Sequence, residues 1–230
     1  MKILNTPAGG QANEMEGGYD VSRRRFFQLA GGIAGAGILF SACHKTTGPT
    51  DIYIGSGDTA LLNYLYILQQ VEAAFYTQAV VTNYYGITAS ELQLLTDVRD
   101  QEIAHREFLK SVLGTDAIIS INTAFPGVTF ADRTSVLTNA AQLEDLVISG
   151  FLGAAPLFST TWYALYLGKM VTAEARQSAY FRDVLNYNTF ADATVVGSNG
   201  LGNANSPSAV LGIAETNYIL TRFDSRKLPN

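Results

Sequence analysis

The stretch Asp97-Val-Arg-Asp-Gln-Glu-Ile-Ala-His-Arg-Glu-Phe-Leu109 places Glu102 and His105 one turn apart in an amphipathic helical pattern. The apolar residues on the same predicted helix face are Leu95, Val98, Leu109 and Val112. This face is therefore expected to point into a core. Burying a carboxylate and an imidazole is costly unless the groups are paired or bind a metal. The rest of the chain must therefore supply charged partners or further metal ligands for these two groups.

Composition limits both the class of protein and its partners. The 230 residues carry a net charge of −5 and are 47% hydrophobic, which suits one domain with a substantial core. The sequence has no basic patch and no nucleic-acid-binding motif, so we expect no nucleic acid partner. A single cysteine, Cys43, rules out an internal disulfide framework. His44 lies beside it, which leaves His105 as the only histidine for a folded core.

The N-terminal region has the pattern of an export signal. Ser22-Arg-Arg-Arg-Phe-Phe-Gln28 precedes an apolar, glycine-rich run that ends in Leu39-Phe-Ser-Ala-Cys43. A charged segment, an apolar segment and small residues before a cleavage site make a signal peptide. The arginine block resembles a twin-arginine signal, and Phe-Ser-Ala-Cys resembles a lipobox. We predict a lipoprotein signal peptide over residues 1–42; the alternative is an uncleaved anchor helix.

Cys43 would then be the lipidated first residue of the mature protein. Its partner would be a membrane, and the expected location is a periplasm-facing, membrane-anchored lipoprotein exported by the twin-arginine route. Residues 43–57 are rich in Thr, Gly and Pro, and predict a flexible tether.

Four long helices and one short helix are predicted after the tether. The capping box Thr88-Ala-Ser-Glu91 opens the second helix and Gly114 closes it. Asp58 is expected to cap the first helix, and Asp132 or Thr134 to start the third. The approximate bounds are 59–83, 88–114, 132–155, 160–186 and, for the short helix, 209–218. Residues 58–187 thus predict an all-α four-helix bundle, two hairpins joined by a long crossover, and residues 188–230 a C-terminal extension.

Each long helix places one glutamate on its apolar face. Glu72 precedes Glu102 by 30 residues, and Glu144 precedes Glu174 by the same interval. His105 follows Glu102 at i+3, just as Gln177 follows Glu174. The two hairpins therefore look like an internal duplication. The alternative is four independent salt bridges or helix-end charges.

Electrostatics favours a metal site over that alternative. Four carboxylates in one core would repel each other, and some would have to be protonated. The predicted core-facing stripes contain no lysine or arginine that could neutralise them. Two divalent cations would cancel four negative charges and bind the carboxylate oxygens.

These motifs resemble the ferritin-like superfamily, over about residues 58–186. The segments Glu144-Asp-Leu-Val-Ile-Ser-Gly-Phe-Leu-Gly-Ala-Ala-Pro156 and Glu174-Ala-Arg-Gln177 are similar to its exported branch related to plant desiccation proteins. The resemblance implies a catalytic metal site with terminal ligands Glu72 and Glu144, bridging ligands Glu102 and Glu174, and His105 on one metal. It also implies two divalent ions, with iron expected and manganese as the alternative.

Gln177 departs from the family pattern, in which a histidine is typical. A neutral amide oxygen is a weaker ligand than imidazole for these metals, so we expect Gln177 to assist a looser second position. The predicted reaction is oxidation of Fe(II) by oxygen or peroxide. Two alternatives are a metal-poor structural or stress-protective lipoprotein and a metal-handling protein without turnover. Tyr76 is expected in ordinary packing, with donation to a ligand or electron transfer as the alternative. Trp162 is expected in the core or at an interface, and a homodimer is a further possibility.

Overall fold

The structure is a computed structural model and describes residues 51–230. Cys43 and the predicted signal peptide lie outside the described residues. The elements in chain order are β1 (Ile52–Tyr53), α1 (Gly57–Thr82), α2 (Ala89–Leu113), α3 (Arg133–Ala154), α4 (Thr161–Leu185), α5 (Pro207–Asn217) and β2 (Phe223–Asp224). Short 3₁₀ turns follow α2 and α3. The predicted all-α fold with a short C-terminal helix is confirmed.

Two helical hairpins form the bundle. Helix α1 packs along α2, helix α3 packs along α4, and α1 also contacts α3 and α5. The crossover between α2 and α3 adds Phe125 and Phe130, which pack against Phe75 of α1. Because α1 is covered on most sides, nearly every residue from Ala60 to Ala73 is buried, polar ones included. This explains why α1 is apolar all round rather than along one stripe.

Buried amides of α1 hold the crossover in place. The Asn63 amide nitrogen donates to the backbone oxygens of Ile54, at 3.1 Å, and Asp116, at 2.9 Å. Its amide oxygen accepts from the backbone nitrogen of Ile118 at 3.0 Å. A buried amide with all three bonds satisfied fixes loop geometry without an unpaired polar group. The long connection therefore runs over the bundle along one defined path.

The predicted capping residues are confirmed for α2 and α3 but not for α1. Thr88 and Glu91 form the predicted capping box of α2, and Gly114 ends that helix with φ at 57°. The Asp132 carboxylate caps α3 by accepting from the Ser135 backbone nitrogen. The prediction for Asp58 is wrong, because Ser56 occupies the cap position of α1.

Asp58 instead connects α1 to the start of α4. Its carboxylate accepts from the backbone nitrogens of Ser159, at 2.8 Å, and Thr160, at 3.0 Å. These residues immediately precede α4, so the carboxylate satisfies amides that have no partner inside the helix. The starts of α1 and α4 are thereby tied together at one end of the bundle.

The sequence did not predict the pairing of β1 with β2. Ile52 pairs in parallel with Phe223. The Ile52 backbone nitrogen donates to the backbone oxygen of Arg222 at 2.9 Å. Residues 52–54 thus belong to the folded body, which corrects the C-terminal end of the predicted tether over residues 43–57. The C-terminal extension packs on the bundle through α5, which contacts α1 and α3.

Two glycines of α3 allow this close packing. A Cβ at Gly150 would collide with the Tyr64 hydroxyl, and one at Gly153 would collide with the backbone oxygen of Asn205. The Asn205 backbone nitrogen also donates to Ser149 at 3.0 Å. The segment before α5 can approach α3 this closely because no side chain intervenes.

We expect Gly153→Ala to lower the free energy of unfolding by about 1–3 kcal/mol, because backbone cannot yield to the added methyl as a side chain can. The measurement is urea unfolding of the chain. The matched control is Gly168→Ala in α4, where nothing lies within 4 Å of the new Cβ. That control should gain about 0.5–1 kcal/mol from helix propensity. Equal effects of the two substitutions would contradict the packing assigned to Gly153.

Candidate metal centre

The four predicted glutamates meet in the middle of the bundle, one from each of α1 to α4. All four side chains are fully buried: Glu72, Glu102, Glu144 and Glu174. Each lies near the middle of its helix, where the backbone groups are already bonded within the helix. The carboxylates therefore have to be satisfied by side chains or by a cation.

Their oxygens form two groups that could each hold a metal ion. One group is Glu102, His105 and Glu174, and the other is Glu72, Glu144 and Glu174. Within each group one donor atom per residue lies within 4.8 Å of the others. Glu174 belongs to both groups, as expected of a carboxylate that bridges two metal ions. Glu102, predicted as the second bridge, belongs to only one of them.

His105 is the main positive partner of these carboxylates. Its Nδ1 lies 2.9 Å from Glu174 Oε1 and 3.5 Å from Glu102 Oε2. Among residues 51–230, no lysine or arginine forms an ion pair with any of the four glutamates. One imidazole is too little charge to balance four carboxylates.

The donor atoms fit a metal because so many of them lack any other partner. The buried oxygens without a hydrogen bond are Glu72 Oε1, both oxygens of Glu102, Glu144 Oε2 and Glu174 Oε2. Each unsatisfied buried polar atom costs about 1–3 kcal/mol. Carboxylate and imidazole donors in this number suit divalent first-row metals. The residues present therefore fit a bound divalent metal, which would satisfy the oxygens that the protein leaves without partners.

Comparison with known families agrees with the fold. The family model described as "Ferritin-like domain" matches residues 57–187. This chain belongs to the ferritin-like domain family. Comparison with curated proteins gives no match. The matched range contains all of the predicted ligands, and it closely agrees with the predicted bundle. The likeness to desiccation proteins and the ligand roles stay predictions.

Gln177 lies where the ferritin-like pattern has its second histidine. It is buried on α4 one turn after Glu174 and makes no well-aligned hydrogen bond, although it lies close enough to Glu102 to favour that carboxylate's charged form and lower its pKa. His105, its counterpart on α2, does contact Glu174. The two halves of the duplicated site are therefore unequal.

Two further side chains contact the centre of this ferritin-like bundle. The Gln69 amide nitrogen lies 2.5 Å from Glu72 Oε2 and 3.1 Å from Glu174 Oε1. The Tyr76 hydroxyl donates to Glu144 Oε1 at 2.5 Å. Sequence reasoning missed Gln69, and for Tyr76 it preferred packing over the donation to a ligand that the structure shows. Their spacing from Glu72, three residues before and four after, puts all three on one helix face and was the available signal.

Burial and mutual repulsion change the protonation of the metal-free site. Burial, with the charges of Glu174 and Glu102, raises the pKa of Glu72 and of Glu144 well above the usual range. Burial and Glu174 also raise the pKa of Glu102 to about 7, although His105 lowers it. Burial opposes the charge on His105, but its contacts with Glu102 and Glu174 outweigh this and raise its pKa to about 10.

The metal-free protein is therefore expected to lose stability as the pH rises. The unfolded chain releases the Glu102 proton near 4.5 and the folded chain near 7, so folding binds that proton between these values. His105 acts in the same direction between 6.5 and about 10. The urea midpoint of metal-free protein should fall steadily from pH 5 to pH 9.

Glu102→Gln is the control for that experiment, since it should flatten the slope between pH 5 and pH 7. Metal ions compete with protons for the same atoms, so their stabilising effect should grow with pH. A metal-free midpoint that rises from pH 5 to pH 9 would contradict this description of the site.

The Gln69 contacts predict a role in positioning two ligands. Gln69→Leu keeps the volume but removes the donor to Glu72 and Glu174, so metal affinity should fall about 10–100-fold. The measurement is competition with a chromophoric chelator, and the control is Gln78→Leu, an exposed glutamine of α1. Unchanged affinity in the Gln69 variant, with its helix content intact, would show that these bonds do not orient the ligands.

Proposed function

We propose that this chain is an exported ferritin-like protein that binds two divalent metal ions for redox chemistry on iron, with oxygen or peroxide as the oxidant. The observation that carries the proposal is the position of Glu174, which is shared by two buried donor groups. The unpartnered oxygens around it support a dinuclear site over a set of separate ion pairs. Family membership supports the same class of chemistry without choosing the reaction.

The two donor groups differ in the metals that they favour. Glu102, His105 and Glu174 offer an imidazole with carboxylates, a set that favours iron and the later first-row metals. Glu72, Glu144 and Glu174 offer only oxygen, which suits a harder ion such as manganese or an iron held less tightly. Gln177 would assist the weaker position with its amide oxygen. Iron is the expected metal, with manganese as the alternative.

The protein's own contribution to the reaction is burial and orientation. Bound iron would supply the electrons that reduce oxygen or peroxide. The helices bury four carboxylates. Away from water, the charges of these groups act more strongly on a bound cation. Tyr76 and Gln69 fix the orientation of Glu144 and Glu72 through hydrogen bonds. The His105 side chain is 15% exposed, so the site lies close to solvent on that side.

The second candidate is a structural or stress-protective lipoprotein with a degenerate site. The observation that favours it is Gln177, because it removes one imidazole from the family's ligand set. A third candidate is a protein that binds metal but catalyses no reaction. Export and lipid attachment are supported by the arginine block and the lipobox-like Cys43 alone.

Fe(II) oxidation separates these candidates. The wild-type chain should accelerate the formation of Fe(III), followed by its absorbance, with oxygen or with peroxide. Glu174→Ala removes the shared ligand and should slow the reaction at least about tenfold. Even substitution of residues that only orient the ligands costs about 10–100-fold in activity. Gln177→His should tighten the weaker metal position.

The control is Glu107→Gln, which alters a partly exposed glutamate of α2 that pairs with Arg106 outside the site. Its rate should match that of the wild type. A Glu174→Ala variant that oxidises Fe(II) as fast as the wild type would sink the proposed function. A wild-type chain that binds metal without accelerating oxidation would leave the metal-handling role in its place.

A further inference from the structure

The start of α4 carries an aromatic cluster that is open to solvent. Trp162 is 53% exposed and Leu165 is 60% exposed. The Trp162 ring stacks on Tyr163 with centroids 5.7 Å apart, and meets Tyr166 edge-on at 4.8 Å. Tyr163 packs against the core and Tyr166 against Phe108 of α2, so the rings are held in a defined arrangement with Trp162 and Leu165 on the solvent side. Of the two places predicted for Trp162, the core or an interface, its exposure excludes the core.

Along α4 this face carries one lysine and no acidic residue, while Asp58 at the same end is bonded to the backbone nitrogens of Ser159 and Thr160. Lys169 Nζ lies 5.1 Å from the centroid of the Tyr166 ring. No acidic residue occurs in the sequence from Thr161 to Ala173. Tryptophan and tyrosine place an apolar ring and a polar edge together, and they concentrate where a membrane meets water. A lysine beside them can extend its charged end towards anionic headgroups.

The position of the face relative to the N-terminal chain points to the same partner. Because Asp58 bonds to Ser159 and Thr160, the chain enters α1 beside the start of α4. Cys43, the predicted lipid attachment, precedes Asp51 by eight residues. Eight residues reach at most about 28 Å at roughly 3.5 Å each. A lipid attached there would hold this end of the bundle close to a bilayer.

The opposite end of the bundle offers a poorer match. Tyr85 and Tyr187 are also exposed there, at 96% and 84%. Within residues 51–230, however, neither ring packs against another aromatic ring, whereas Trp162 packs on Tyr163 and Tyr166. The opposite end therefore lacks a preformed aromatic cluster.

A second copy of the chain is a less suitable partner for this face. A typical stable interface buries about 800 Å² on each partner. Two exposed side chains, Trp162 and Leu165, offer much less apolar surface than that. A shallow aromatic patch with one lysine is, however, sufficient to orient a protein that is already held at a membrane by a lipid.

We propose that the face formed by Trp162, Leu165, Tyr166 and Lys169 lies on the lipid surface and orients the bundle. This inference rests on lipid attachment at Cys43 and is independent of the metal chemistry. Glu174 follows Trp162 by twelve residues along α4, which is about 18 Å at 1.5 Å per residue. The metal centre would then be held at a short, defined distance from the membrane, where a membrane-bound or lipid-derived oxidant or reductant could reach it.

The single tryptophan of the chain makes the proposal directly testable. The full-length lipidated chain is reconstituted into vesicles of phosphatidylcholine and phosphatidylglycerol, with or without bromine atoms on the acyl chains. Bromine quenches only tryptophan that reaches the bilayer, so brominated vesicles should lower Trp162 emission several-fold and shift the remainder to shorter wavelength. Leu165→Asp, at an exposed site, should reverse most of this quenching while helix content is unchanged.

The matched control moves the reporter to the other end of the bundle. The double substitution Trp162→Phe and Tyr187→Trp should show no quenching by brominated lipid. The proposal is overturned if Trp162 stays unquenched while the chain sediments with vesicles, or if both reporters are quenched equally. It is also overturned if the chain does not sediment with vesicles at all. An emission shift that depends on protein concentration, without lipid quenching, would assign the face to a second copy instead.

Discussion

The burial of four carboxylates beside a single imidazole is the constraint on which the rest of this structure depends. Each of the four long helices contributes one glutamate to the same small volume, and all four are fully buried. Proteins tolerate buried charge only where it is paired, protonated or bound to metal. The metal-free chain relies on protonation and on His105, whereas two divalent ions would neutralise the whole set. The centre of the bundle therefore holds more negative charge than the single imidazole of His105 can balance.

The sequence predicted those features that follow from local periodicity. The register of Glu72, Glu102, Glu144 and Glu174 is readable because the α-helix repeats regularly, and the ends of α2 follow from a capping box and Gly114. The features that it did not predict depend on distant pairs. Asp58 bonds to residues about a hundred positions away, and β1 pairs with β2 across nearly the whole described chain. Two-residue strands carry no periodic signal.

The two halves of the centre are unequal. His105 contacts Glu174, while the equivalent Gln177 makes no well-aligned hydrogen bond. Gln69 donates to Glu72 and to Glu174 Oε1, the same oxygen that His105 contacts. The family pattern led to the ligands but not to this amide, although the position of Gln69 three residues before Glu72, on the same helix face, was readable from the sequence. If metal ions bind here, asymmetry of this kind would give two positions of different strength around one shared carboxylate.

Elemental analysis of the full-length chain, purified without chelator and then reconstituted with Fe(II) or Mn(II), tests the central claim most directly. A chain that holds ions on both sides of Glu174 should carry roughly one to two metal ions per molecule, with the second bound more weakly. Metal content well below one per chain, in protein whose helix content is intact, would contradict the account.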